Sequence, residues 1–178
     1  GWPTPQSMVA DNDLALGRVI EAVTKSPEWK NTCIFVIEDD AQFGLDHIDG
    51  HRTVFFTVSP FTKRGYVDHE LCNTVSIVRS IELMLGLQAM NRFDAVAIPL
   101  IDCFSDIANL SKYTSIPNKV PLDEFNRGIE RMNSREKELV KTSMALDWSD
   151  MDAADGSVLN RIMWASIKGF NSPYPGRP

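Results

Sequence analysis

Two short apolar runs constrain the fold of this chain more than any other feature. Residues 32–37 read Thr-Cys-Ile-Phe-Val-Ile and residues 54–58 read Val-Phe-Phe-Thr-Val, so apolar side chains follow one another without the alternation of a half-buried strand. A continuous run of this kind is typical of a strand buried on both faces, as in a parallel sheet covered by helices. The two runs therefore predict two parallel strands.

Helical periodicity surrounds these runs. Four apolar positions within residues 8–24 keep the spacing of one buried helical face: Leu16, Val19, Ile20 and Val23. A second helix is predicted to begin at Asn73 or Thr74 and to end at Gly86, which suits a left-handed C-cap. Helix, strand, loop, strand and helix in this order favour an α/β fold with layers of helices on a sheet.

The chain changes character after residue 101. Residues 102–121 are irregular, whereas residues 122–145 are polar with helical spacing and contain a capping pair, Asn133 and Glu136. A last helix is predicted over residues 155–169. We expect this part to pack on the sheet layer as an extension.

Composition excludes several classes of protein. The chain has 178 residues, of which 43% are hydrophobic, and a formal net charge of −6, which suits one globular domain and gives no basic surface for nucleic acid or anionic membrane. No apolar stretch approaches the roughly 20 residues of a membrane-spanning helix. Three widely spaced cysteines without a Cys-x-x-Cys pair suggest neither a disulfide framework nor a thiolate zinc site. Because Gly1 stands where an initiator Met would, we expect a piece of a longer protein.

The stretch after the first apolar run contains the residues best suited to chemistry. Five carboxylates and two of the three histidines fall within residues 38–51, between the two predicted strands. Ligands of open α/β sheets gather at the carboxyl ends of strands, and Asp39 and Asp40 follow such an end. Carboxylate oxygen and imidazole nitrogen are ligands for zinc, manganese or iron. The pattern is that of a catalytic metal site.

A solvated acidic loop is the competing interpretation of the same stretch. Asp and Gly are common loop formers, and acidic loop residues usually face water. Adjacent carboxylates repel each other unless a cation or a hydrogen-bond donor lies between them, which favours the metal site. Spacing alone leaves both interpretations open.

Outside this stretch, Lys63 and Arg64 could contact an anionic substrate or form a solvated turn. Ser59 and Ser76 have no evident base beside them and are not predicted to be nucleophiles. The tryptophans are interpreted as packing residues.

Several stretches resemble the carboxyl-terminal part of the phosphoesterase family, which includes bacterial phospholipase C and acid phosphatase enzymes and belongs to the alkaline phosphatase superfamily. They are Asp-Asn-Asp-Leu-Ala-Leu-Gly-Arg at 11–18, Thr-x-Ile-Phe-Val-Ile-Glu-Asp-Asp at 32–40, Asp-His-x-Asp-x-His-Arg-Thr at 46–53 and Ser-Pro-Phe-Thr-Lys-Arg-Gly-Tyr-Val-Asp at 59–68. The resemblance runs over residues 3–87, and residues 159–164 and 173–175 also look like members of this group.

The resemblance implies a three-layer α/β/α fold. Residues 1–101 would form the carboxyl-terminal part of an alkaline-phosphatase-like core, and residues 102–178 a mostly helical extension. It also implies hydrolysis of phosphate esters with divalent metal ions, Zn²⁺ in the first place and Mn²⁺ as the alternative. The implied metal ligands are Asp39, Asp40 and His51, with Asp46 and His47 as further candidates, and the implied substrate contacts are Lys63 and Arg64. Asp40 replaces the histidine of the commoner form of the superfamily, which leaves the identity and number of the metals open.

In the family, the nucleophile and further ligands lie in an amino-terminal half that this sequence does not contain. We therefore expect these 178 residues to bind metal weakly and to hydrolyse nothing without that partner half. Membership also implies a periplasmic or extracellular location. The alternative is a noncatalytic binding or interaction module that keeps the scaffold and has lost the chemistry.

Overall fold

A computed structural model describes residues 2–38, 53–150 and 153–175. Its helices are α1 (Pro5–Lys25), α2 (Thr74–Leu85), α3 (Arg92–Val96), α4 (Ser134–Met144) and α5 (Gly156–Lys168). Its strands are β1 (Ile34–Ile37) and β2 (Phe55–Val58), and short 3-10 helices cover Pro27–Asn31 and Ile129–Arg131. Helices and strands thus occur in one chain, as expected for an α/β protein.

The two strands pair with each other in an antiparallel ladder. Ile34 lies opposite Val58, and Ile37 lies opposite Phe55. The prediction of parallel strands buried on both faces is therefore wrong, because apolar periodicity carries no information about strand direction. The sheet formed by the described residues has only these two strands. Side chains of both strands consequently stay partly accessible, with Ile37 39% and Phe56 50% exposed.

Contacts group the described residues into two compact units. The sheet unit contains residues 17–37 and 53–115, and the helical unit contains residues 2–16, 38, 116–150 and 153–175. Helix α1 contributes residues to both. The predicted domain boundary after residue 101 stays a prediction.

The core of the sheet unit joins α2 to the ladder. Ile77, Leu100 and Cys103 are buried together, and partly buried aromatic side chains from both strands pack on them. Two of these, Phe35 and Phe55, stack with ring centroids 6.3 Å apart. The apolar runs therefore pack Phe35 and Phe55 against this core from one face of the sheet.

Helix ends agree closely with the sequence. Asn73 accepts a hydrogen bond from the Ser76 amide in a capping box at the start of α2, and Gly86 ends that helix at φ 67°. This left-handed conformation costs glycine little because it has no Cβ. Asp155 caps α5 as predicted, accepting hydrogen bonds from the amides of Ser157 and Val158.

The predicted helix over residues 122–145 is wrong in its first half. The capping box of Asn133 and Glu136 is present, but α4 begins only at Ser134, directly after the N-cap Asn133. Upstream, the chain is extended: Phe125 bridges to Pro3, and the Asn126 amide donates to the Trp2 carbonyl at 2.9 Å. Pairing with a distant segment satisfies backbone groups that a local helix would otherwise have used.

Two further differences concern exposure. Val19, predicted on the buried face of α1, is 55% exposed, whereas Leu14 and Thr24 are buried. Trp29 packs in the interior at 4% exposed, but Trp2 is 83% exposed and so is no packing residue.

The five-residue helix α3 has no counterpart among the helices predicted from the sequence. No helix of the described ranges combines the length and apolar character needed to cross a membrane.

Candidate functional site

All five predicted metal ligands lie outside the described residues: Asp39, Asp40, Asp46, His47 and His51. The sheet on either side of them is described. The chain leaves β1 after Ile37 and enters β2 at Phe55, and these two residues are direct partners in the ladder. The stretch 38–51, here called the acidic segment, therefore follows the carboxyl end of β1 in the sequence, as predicted, and β2 resumes beside that same end.

The described residues contain no candidate metal site of their own. Within 2–38, 53–150 and 153–175, no three His, Cys, Asp or Glu side chains are grouped so that they could hold an ion.

The predicted substrate contacts Lys63 and Arg64 lie in a turn that follows β2, here called the basic turn (residues 59–66). Ser59 forms its beginning: its hydroxyl accepts a hydrogen bond from the Phe61 amide at 3.0 Å and lies 3.0 Å from the Thr62 hydroxyl. Pro60 is fully buried. Gly65 allows the reversal near its end with φ 64°.

A second segment, here called the strap (residues 102–111), holds the basic turn in place. Three main-chain hydrogen bonds join them, from Lys63 N to Cys103 O at 2.8 Å, from Ser105 N to Phe61 O at 2.8 Å and from Asn109 N to Pro60 O at 2.7 Å. An isolated bridge also pairs Thr62 with Phe104. Because these hydrogen bonds fix the backbone of the basic turn, the Cα positions of Lys63 and Arg64 are fixed as well.

Lys63 is engaged by the protein itself. Its ammonium donates a hydrogen bond to the Asp102 carbonyl at 2.6 Å and lies 5.0 Å from the centre of the Tyr66 ring. Burial raises the pKa of Tyr66, and the nearby carboxylates of Asp68 and Asp102 raise it further. Lys63 is therefore held by a main-chain carbonyl and an aromatic ring of the same unit.

Arg64 takes a different partner on the strap. Its Nη2 donates to the Ser111 hydroxyl at 2.8 Å, and both residues are exposed. The Ser111 amide in turn donates to the Asn109 side chain at 3.0 Å. The structure thus keeps the two cations on one turn and directs them to different anchors.

Sequence analysis did not identify the strap. Its contacts are made by backbone atoms and by one exposed serine, and neither produces a periodic or compositional signal. Only the irregularity of residues 102–121 was predicted.

The thiols and the hydroxyls considered above are structural. Burial raises the pKa of Cys33 to about 11 and also raises the pKa of Cys72 and Cys103, so these thiols stay protonated near neutral pH. Ser59 is committed to the basic turn, and the Ser76 hydroxyl lies within the α2 capping box.

Comparison with known proteins gives one match. Residues 4–88, slightly less than half of the 178, match the model of the Phosphoesterase family. The matched range contains both strands, the acidic segment, the basic turn and α2. No curated protein and no solved structure matches the chain. Through residues 4–88, this chain is similar to the Phosphoesterase family.

Proposed function

We propose that this chain forms the metal-binding and substrate-contacting part of a phosphoesterase that hydrolyses phosphate esters. The family match carries the proposal, because it spans both the acidic segment and the basic turn. We further propose that the sheet unit belongs to a three-layer α/β/α core of the alkaline phosphatase type, completed by other strands.

Asp39, Asp40 and His51 are the proposed metal ligands, with Asp46 and His47 as additional ones. Carboxylate oxygens and imidazole nitrogens without a neighbouring thiolate make a donor set that fits Zn²⁺, and also Mn²⁺. A divalent cation held there would offset the negative charge that develops on phosphoryl oxygens during hydrolysis.

Lys63 and Arg64 are the proposed contacts for the anionic group of the substrate. Guanidinium and ammonium groups bind phosphate through charge-assisted hydrogen bonds, and both side chains are exposed on a turn whose backbone is fixed by the strap. We propose that the attacking hydroxyl comes from the amino-terminal half of the enzyme, since Ser59 and Ser76 are already engaged.

Calorimetric titration with Zn²⁺ and Mn²⁺ tests this proposal. We expect the 178-residue chain to bind a divalent ion, and both Asp39→Ala and His51→Ala to weaken binding about tenfold or more. Asp13→Ala, at an exposed acidic position of α1, is the matched control and should bind as the parent does. Circular dichroism confirms that each variant is folded.

The same preparations should release no p-nitrophenol from p-nitrophenyl phosphate. Absence of metal binding in the parent chain, or binding that survives both substitutions, would contradict the proposed site.

A further inference from the structure

We propose that Arg64, rather than Lys63, makes the principal contact with the anionic group of the substrate, and that Ser111 positions it. The inference rests on the proposed function and refines its substrate site. Ser111 lies beyond the range matched by the family, so the match does not supply it.

The contacts of Lys63 indicate that this side chain stabilises the basic turn. Its ammonium lies 2.6 Å from the Asp102 carbonyl, and the carboxylates of Asp68, Glu70 and Asp102 are all near enough to Tyr66 to act on its phenol. A phosphate approaching Lys63 would have to displace this short hydrogen bond.

Arg64 is better placed to receive an anion. A guanidinium has five N–H donors in a planar fork, and the Ser111 hydroxyl engages only Nη2. Among the residues that the structure describes, no carboxylate forms an ion pair with Arg64. Donors therefore remain for the two-pronged recognition of phosphate that arginine favours.

Ser111 can hold the guanidinium because Ser111 is itself held. Its amide donates to Asn109 Oδ1 at 3.0 Å, and the Asn109 amide donates to the Pro60 carbonyl at 2.7 Å. This chain of hydrogen bonds returns to the buried start of the basic turn. The long side chain is thus ordered before substrate arrives, and binding does not have to supply that ordering.

Binding of inorganic phosphate to the full chain, measured by calorimetry, tests the inference. Arg64→Gln should weaken binding about tenfold or more, and Lys63→Gln should weaken it less. Ser111→Ala should weaken it about two- to tenfold, the usual cost of immobilising one long side chain. Ser111→Thr keeps the hydroxyl and should restore binding. Ser105→Ala is the control on the same strap, because its hydroxyl accepts a hydrogen bond from the Ile107 amide and does not contact Arg64.

A second readout separates positioning from general stability. The ¹⁵N heteronuclear NOE of Arg64 Nε should fall in Ser111→Ala and not in Ser105→Ala, at equal melting temperature.

Three outcomes would contradict the inference. Unchanged phosphate affinity in Ser111→Ala, together with a loss of affinity in Arg64→Gln, would overturn the role of Ser111 and leave the proposed function standing. A larger loss in Lys63→Gln than in Arg64→Gln would overturn the choice of Arg64. Phosphate binding that no variant alters, or that the parent lacks, would refute the basic turn as the substrate contact altogether, whereas the metal titration judges the acidic segment separately.

Discussion

At the residue scale, Glu21 makes the stability of the folded chain depend on pH. The Lys25 ammonium and the hydroxyl and amide of Ser115 all hydrogen-bond to its carboxylate and lower its pKa to about 2 from 4.5. Because the folded-state pKa lies below the unfolded one, this stabilisation is complete above about pH 5 and is lost as the pH falls toward 2. We therefore expect Glu21→Gln to be less stable than the parent at pH 7 and nearly equal to it at pH 2.

Thermal melting at a series of pH values measures this difference. Glu28→Gln, which removes an exposed carboxylate from the neighbouring 3-10 helix, is the matched control. If the melting temperature of Glu21→Gln stays below that of the parent by the same amount at low pH, the carboxylate charge of Glu21 is not what stabilises the fold.

At the element scale, α2 depends on its N-cap. Asn73 Oδ1 accepts from the Ser76 amide at 3.1 Å, satisfying one of the donors that every helix leaves unpaired at its start. Asn73→Ala should lower the free energy of unfolding by about 1 kcal/mol, while Asn73→Asp, which keeps an acceptor, should cost much less. Urea denaturation followed by circular dichroism checks both. Equal losses in the two variants would contradict a capping role.

The same element explains which features could be predicted. The ends of α2, α4 and α5 follow from cap residues within three positions of the helix, so local sequence suffices. The antiparallel ladder and the extended residues near Phe125 depend on distant partners, which no local pattern records. The candidate site divides in the same way. The sequence singles out Lys63 and Arg64 as a substrate contact or a solvated turn, but their anchors on the strap come from a segment some forty positions away by sequence.

At the scale of the whole molecule, the reactivity of the three cysteines measures whether the sheet unit is folded. Cys33, Cys72 and Cys103 all belong to the sheet unit. The rise in the pKa of Cys33 from 9.0 to about 11 reduces its thiolate fraction about a hundredfold. We expect iodoacetamide to modify Cys33 at least that much more slowly in the folded chain than in urea at pH 8. Mass spectrometry of each cysteine peptide provides the measurement, and rapid labelling of Cys33 without denaturant would contradict it.

The pairing of Ile37 with Phe55 also determines how well the fold tolerates sequence changes between the two strands. Residues 38–54 are one insertion into a hairpin, and the entropy of closing a hairpin loop rises only with the logarithm of its length. Substitutions, deletions and even exchange of the whole insertion should therefore cost the ladder little. Evolution or an engineer could therefore exchange this segment for another without redesigning the two strands.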